Sequence, residues 1–201
     1  MSRILTWLVF AACLLPVAGG ADESPARGNL LVATELVRGD IFVQTVVLLL
    51  HYDDTGAMGL VVNRPTELGM DELVVDDDAL SGYSGAIYWG GPVQMNSLRA
   101  LMHTDKAPGG AERIVDSVYL VSIDDVLTNA LQDVPGLRLF IGFAGWDPGQ
   151  LDHEMARGSW HVVPASADLV FAKDPGQLWK RLVPPREHRA EARSVAKMQQ
   201  W

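Results

Sequence analysis

The pattern of apolar and polar positions predicts a chain in which strands and helices are mixed. Residues 45–52 form the clearest element, because five consecutive aliphatic side chains without alternation are typical of a strand buried on both faces. The run Asp-Asp-Thr-Gly at 53–56 favours a turn, and residues 57–63 return as a second strand, so we expect a β-hairpin. Further strands are expected at residues 29–36, 117–121, 137–144 and 160–163.

Helical spacing of apolar side chains predicts several short helices. Over residues 123–131 the apolar positions share one face, and Ser122 is placed to cap the first turn. A second helix is expected at 148–156, with Pro148 in its first turn, where proline is tolerated. Less regular patterns indicate a short helix at 68–74, a helical turn at 95–102 and a last helix at 177–182.

The first 20 residues have the pattern of a secretory signal peptide. Arg3 precedes an apolar run over residues 4–17, and small side chains follow at 18–21. A transmembrane helix needs about 20 apolar residues, so an uncleaved anchor is the less favoured interpretation. We expect cleavage near residue 20 or 21 and an exported, periplasmic protein. The alternatives are a lipid anchor on Cys13, which is the only route to a membrane that we expect, or a cytoplasmic location.

The rest of the chain divides into three parts by composition. Residues 21–27 are expected to be a flexible start, and residues 28–183 to form one domain. The segment 184–201 is rich in Arg and Lys and predicts a solvated surface tail or a partner-binding helix, a choice that stays open.

Composition excludes several classes of function. The chain has 201 residues, 16 of them basic and 25 acidic, for a formal charge of -9. Phosphate backbones repel such a surface, so no nucleic acid is expected as a partner. Cys13 is the single cysteine, which excludes a disulfide scaffold and a Cys-rich zinc site. No metal or other cofactor is expected, because the neighbours Asp152, His153 and Glu154 would point in different directions on a helix.

Glycine- and tryptophan-rich loops are the candidate binding positions. The loop at Gly145 combines permissive glycines with a flat indole, and it is either a pocket or a strand-to-helix connection plugged by Trp146. The loop at Gly90 either offers backbone N–H groups to an anion or is a tight turn. At the end of a strand, Arg64 either holds a carboxylate or phosphate, or it fixes a turn with Asn63 and pairs with an internal Asp. The candidate residues are Asn63, Arg64, Trp89, Gly90, Gly91, Pro92, Gly145, Trp146, Pro148, Gly149 and Gln150.

Three sequence islands occur together in an order that resembles the YqgE/AlgH family of bacterial proteins. The first runs from Gly28 through Phe42 and T-V-V-L-L-L-H to the N-R-P ending at Pro65. The second is W-G-G-P-V at 89–93, and the third is G-F-A-G-W-D-P-G-Q-L-D-H-E at 142–154, followed by Ser159 and Trp160. The third island is the most specific, because such a run seldom arises by chance. The resemblance covers about residues 28–183.

The resemblance implies an α/β fold of the α+β type, a single compact domain with a mixed, partly barrel-like β-sheet flanked by helices. It supplies no catalytic residues, and its old label is a regulator of alginate genes. Members of the family look mostly cytoplasmic, whereas the first 20 residues of this chain predict export, which argues against contact with a promoter. We therefore expect an exported, non-enzymatic domain that binds an unknown protein or small ligand. The alternatives are regulation through protein contacts, or an enzyme using Asp147, His153 and Glu154 as acid and base.

Overall fold

The computed structural model describes residues 24–37, 39, 41–72, 80, 83–128 and 134–184. The predicted leader, most of the predicted tail, the end of the helix expected at 123–131 and residues 73–74 lie outside the described residues. The prediction of a flexible start is covered only from residue 24, and Arg27 there forms an ion pair with Glu112.

A curled, mainly antiparallel sheet forms the body of the domain. The strands are β1 (Asn29–Ala33), β2 (Val46–Asp53), β3 (Gly56–Val61), β4 (Ile87–Trp89), β5 (Val93–His103), β6 (Glu112–Val115), β7 (Val118–Val121), β8 (Leu137–Trp146) and β9 (Trp160–Pro164). They follow the order β6-β7-β5-β8-β3-β2-β1-β9 in the sheet, and β4 lies parallel to β8, so the sheet is mixed. The helices are α1 (Ile123–Thr128), α2 (Gln150–Ala156), α3 (Ala167–Val170) and α4 (Leu178–Leu182), with single 3-10 turns at Met70–Glu72 and Pro175–Gln177.

The concave face of the sheet holds the largest apolar cluster. Leu30, Leu48, Leu60 and Phe140 from four strands are fully buried there, and Leu178 of α4 packs onto them. Each such side chain contributes about 1.5–3 kcal/mol by leaving water. The opposite face of β1, β2, β3 and β8 carries a second cluster, which α2 covers. Central strands buried on both faces explain why β2 shows no alternation.

Polar contacts connect the two ends of the curled sheet. Arg27 donates from Nη2 to the Arg113 carbonyl of β6 at 2.7 Å, in addition to its ion pair with Glu112. Beyond β9, the Ala167 N–H donates to the Asp116 carboxylate at 3.2 Å. Strand β6 at one end of the sheet therefore lies near the chain that flanks β1 and β9 at the other end. This half-barrel confirms the predicted α+β fold with a partly barrel-like sheet.

Several predicted elements are confirmed in position. The first five residues of β2 are buried, and β2 and β3 pair as the expected hairpin. Ser122 caps α1, since its hydroxyl accepts the Asp125 N–H at 3.0 Å. Strands β1 and β3 are shorter than expected, ending at Ala33 and Val61.

Two predicted elements differ from the structure: one predicted helical turn is part of a strand, and one predicted helix begins two residues later. The helical turn expected at 95–102 belongs to β5, which pairs with β7 on one side and β8 on the other. Residues 100–102 are buried in succession, whereas Met95 is exposed, so apolar side chains do not alternate along this strand and their spacing imitates a helix. Helix α2 begins at Gln150 with Gly149 as its N-cap, so Pro148 precedes the helix.

At 68–74 the described part contains a 3-10 turn at Met70–Glu72 in place of an α-helix. Within the described ranges, no helix is both long and apolar enough to cross a bilayer.

Candidate functional site

Four rings from distant parts of the chain meet on the convex face of the sheet. We call Phe42, Trp89, Trp146 and Trp160 the aromatic cluster. The Phe42 ring centroid lies 6.0 Å from those of Trp89 and Trp160 and 6.3 Å from that of Trp146. The two tryptophans of β8 and β9 pack edge to face at 6.0 Å. These separations are typical of favourable aromatic pairs, so the rings hold one another in place.

The Glu154 carboxylate of α2 accepts hydrogen bonds from two indoles of the aromatic cluster. One oxygen, Oε2, accepts the indole N–H of Trp146 at 3.0 Å and that of Trp160 at 2.7 Å. The other oxygen accepts from Gln150 Nε2 at 3.0 Å. Trp146 and Trp160 are 7% and 5% exposed, so these are hydrogen bonds between largely buried donors and a charged acceptor. Glu154 and Gln150 therefore fix the orientation of two indoles.

The loop of the third sequence island is a tight turn into α2. The Gln150 N–H donates to the Asp147 carbonyl at 2.9 Å, and Gly149 has φ 73° and ψ −5°. A proline at the second position and a left-handed glycine at the third define a type II turn. Trp146 is buried beside this turn, as the plugged-connection interpretation requires, whereas Asp147, Pro148 and Gln150 are exposed.

Gly90 and Gly91 mark a close crossing of two backbone segments. A Cβ on Gly91 would lie 2.2 Å from the Phe143 carbonyl carbon, and one on Gly90 would lie 2.4 Å from the Gly142 oxygen. The Gly90 N–H donates to the Ile141 carbonyl at 2.8 Å, within the sheet. The two segments lie so close together that neither glycine position has room for a side chain. Pro92 follows and is exposed.

Asn63 and Arg64 hold the segment that precedes β2, which we call loop 41–45. Arg64 donates from Nη1 to the Ile41 carbonyl at 2.5 Å and from Nη2 to the Val43 carbonyl at 2.6 Å. Its guanidinium also lies over the Trp89 ring, 5.1 Å from the centroid. Partial burial lowers the pKa of Arg64 from its usual value. Within the described residues, the hydrogen-bond acceptors of Arg64 are backbone carbonyls, and the internal Asp of one alternative is not among them.

Buried Asn63 completes the attachment of loop 41–45. Its Oδ1 accepts the Val46 N–H at 2.8 Å, and its Nδ2 donates to the Gln44 carbonyl at 2.9 Å. Gln44 has φ 58°, a left-handed backbone conformation that is uncommon for residues other than glycine and that the surrounding contacts must stabilise. The loop is therefore held in one conformation by side chains from the end of the hairpin.

Loop 41–45 turns Phe42 inward and its neighbours outward. Phe42 is half-buried among the indoles, whereas Ile41 is 53% exposed and Val43 is 40% exposed. Two large aliphatic side chains thus stand at the rim of the aromatic cluster, beside the Arg64–Trp89 stack. The structure therefore brings Arg64, Trp89 and Trp146 together around one ring.

The three proposed acid and base groups have different surroundings, and Asp147 is exposed on the turn that precedes α2. Glu154 is engaged by the two indoles, and His153 Nδ1 lies 2.7 Å from the Gly149 carbonyl on the exposed side of α2. Its neighbour Asp152 accepts the Tyr52 hydroxyl at 2.5 Å. Among the described residues, no group of three His, Cys, Asp or Glu side chains is placed to hold a metal ion.

Sequence reasoning missed the two residues that assemble this site. Phe42 and Trp160 were present in the quoted islands, yet neither was chosen as a candidate, because an isolated ring carries no local signal of a cluster. A signal that could have identified them is that all four rings lie within or directly after the three islands, together with the acidic residue Glu154 in the third.

Comparisons with known proteins agree on a single family. The family model that matches residues 30–186 is described as DUF179, AlgH-like. A UPF0301 protein from Streptomyces coelicolor is 33% identical over 186 residues, which cover 90% of this chain and 95% of the relative. A UPF0301 protein from Methylococcus capsulatus is 32% identical over 168 residues, covering 81% and 90%.

Two solved structures share the architecture. The solution structure of the AlgH protein from Pseudomonas aeruginosa matches with a TM-score of 0.60 and 26% identity, over 87% of this chain and 92% of that one. A crystal structure of a protein from Corynebacterium diphtheriae matches with a TM-score of 0.69 and 24% identity, over 81% and 88%, and supports the fold alone.

Proposed function

The chain belongs to the AlgH-like family, and from that premise we propose that it is an exported, non-enzymatic binding domain that contacts a protein partner through loop 41–45. The observation that carries this proposal is the exposure of Ile41 and Val43 on a loop whose conformation is already fixed. A surface that is ordered before binding loses little conformational entropy on association, so its apolar contacts translate into affinity.

The chemistry around loop 41–45 favours a protein over a small molecule. Ile41 and Val43 project from the surface. Behind them, the Phe42 ring occupies the space between the three indoles. A convex apolar projection beside an Arg stacked on Trp suits insertion into a partner, because aromatic and Arg side chains carry much of the energy at protein interfaces. Pro92 and Pro148 are exposed and come shortly after Trp89 and Trp146 in the sequence. We include both prolines in the proposed surface.

Site-specific cross-linking tests the contact surface. A photoreactive amino acid is placed at Val43 in the full chain, in its source organism, and a matched one at Val134. Both positions are partly exposed aliphatics, at 40% and 36%, and Val134 precedes β8 away from the loop. The proposal expects one discrete protein adduct from position 43 and none of that mass from position 134. Equal adducts from both positions would contradict it.

The compartment is tested separately. If the leader is removed during export, the periplasmic fraction contains a chain whose N-terminus lies near residue 20 or 21. Intact protein in the cytoplasm would contradict export but not the proposed contact through loop 41–45. It would support the alternative, a regulator that acts through protein contacts.

A further inference from the structure

A groove of about 410 Å³ lies on the other half of the sheet, away from the aromatic cluster. Pockets for small molecules have volumes of about 300–1,000 Å³, so the groove has room for a small ligand. Its walls come from the start of α1, the middle of β5 and the β6–β7 hairpin. The lining residues are Leu98, Arg99, Gly110, Glu112, Leu120, Val121, Ser122, Ile123 and Asp124.

Strand pairing explains why a gap opens at this place. Strand β7 pairs with β5 as far as Val121 opposite Ala100, and Ser122 then leads the chain into α1. On its other side β5 continues to pair with β8 at Leu98 and Arg99. In the described part of the chain, no strand replaces β7 beside these two residues, so α1 and the 110–112 segment face them across open space.

Arg99 supplies a positive charge whose geometry is fixed in advance. Nη1 donates to Ser97 Oγ at 3.1 Å and to the Leu98 carbonyl at 3.3 Å, and Nη2 donates to Gln94 Oε1 at 3.0 Å. The guanidinium lies 5.2 Å from the Phe143 ring centroid. All three acceptors are uncharged, and a guanidinium has five N–H donors, so Nε–H and one Nη2–H remain for a ligand. A guanidinium can bind a carboxylate through two parallel N–H groups.

Asp124 supplies the opposite charge at the start of α1. Its carboxylate is exposed, and no hydrogen bond or ion pair within the described ranges involves it. The other acidic group in the groove, Glu112, is neutralised by Arg27. The neighbouring acid Asp125 accepts the Ser122 hydroxyl at 2.6 Å. Arg99 and Asp124 are therefore the two charges that a ligand in the groove would meet.

We propose that this groove binds a small zwitterion, an α-amino acid with an aliphatic side chain. The carboxylate of the ligand pairs with Arg99, its ammonium with Asp124, and its side chain packs on Leu98, Leu120 and Ile123. A ligand with only one of the two charges leaves the other protein charge without a partner and binds more weakly. This site is separate from loop 41–45 and does not depend on the proposed protein contact.

Titration of the full chain with L-leucine tests the groove, followed by amide chemical shifts and by calorimetry. We expect saturable binding that shifts the amides of residues 98–99 and 120–124. N-acetyl-L-leucine lacks the ammonium and L-leucinamide lacks the carboxylate, so each should bind at least about tenfold more weakly, the factor for about 1.4 kcal/mol.

Matched variants connect the binding to the two charges. Arg99→Met and Asp124→Asn should each weaken leucine binding at least about tenfold. The controls are Arg113→Met, which removes another Arg stacked on a ring, and Asp168→Asn, which removes another exposed acid from the first turn of a helix. Both controls should bind as the unmodified chain does. If Arg99→Met does not fold, the two analogues and Asp124→Asn decide the question.

Three outcomes would overturn the proposal. One is the lack of saturable shifts at millimolar leucine, and another is equal affinity for leucine and both analogues. The third is unchanged binding in Asp124→Asn and in folded Arg99→Met.

Discussion

The Glu154 side chain supplies hydrogen-bond acceptors to the aromatic cluster. It accepts both indole N–H groups on one oxygen, so the two tryptophans share an anchor. From the sequence alone, Glu154 has a role only in the enzyme alternative, as one of three candidate acid and base groups. The structural role was not predictable locally, since Trp160 lies six residues away on the following strand.

Replacing Glu154 with Gln tests this anchor. Gln keeps one acceptor oxygen but removes the charge, and its amide N–H₂ faces the Gln150 donor. We expect a loss of about 1–3 kcal/mol in the free energy of unfolding, the usual range for a lost charged hydrogen bond. Urea denaturation followed by tryptophan fluorescence measures it. Glu67→Gln, at an exposed position, is the control and should leave the midpoint unchanged; an equal loss in both variants would contradict the anchor.

Gly91 offers a second test at this scale. A Cβ there would contact the backbone at Phe143 at 2.2 Å, and φ is +150°. Gly91→Ala must therefore shift β8 or the 90–92 segment, and we expect destabilisation by several kcal/mol, at the large end of single substitutions. Gly109→Ala, where a Cβ meets nothing within 4 Å, should change the melting temperature little. A stable Gly91→Ala variant would show that the close crossing is not required.

At the element scale, helix α2 is tied to strand β2 as well as to the aromatic cluster. The Tyr52 hydroxyl donates to Asp152 at 2.5 Å, which joins the end of the hairpin to the helix. The prediction of α2 came from local signals, and it was right except for its start. The prediction at 95–102 failed because β5 is a strand through its pairing with β7 on one edge and β8 on the other, which the segment itself does not encode.

The Tyr52–Asp152 contact predicts a pH dependence of stability. The hydrogen bond to Asp152 raises the pKa of Tyr52 from its usual value of 10.0, with burial as a smaller cause. Since the folded-state pKa lies above the unfolded one, the contribution is complete below pH 10 and is lost as the pH rises through the folded pKa. The denaturation midpoint should therefore fall in that alkaline range, and Tyr52→Phe should remove this part of the fall. Identical alkaline profiles would contradict the contact.

At the scale of the whole molecule, the curled sheet separates two candidate sites. The aromatic cluster and loop 41–45 lie on the β1-β2-β3-β8 half, and the groove lies where β5, β7 and α1 diverge. The fold was predictable because the family resemblance carried by the three islands covers about residues 28–183 and implies it. Loop 41–45 was not, because its conformation depends on Arg64, more than twenty residues along the chain, and on rings from β4, β8 and β9.

The affinity of the chain for the protein cross-linked from position 43 tests the central claim most directly. The double variant Ile41→Ser/Val43→Ser removes the two projecting side chains while leaving Phe42, Asn63 and Arg64 in place. Since central interface residues cost about 2 kcal/mol or more when truncated, we expect the Kd to rise by more than about tenfold, with Val134→Ser unchanged. A double variant that folds normally and binds with the Kd of the unmodified chain would contradict the proposal that loop 41–45 is the contact surface.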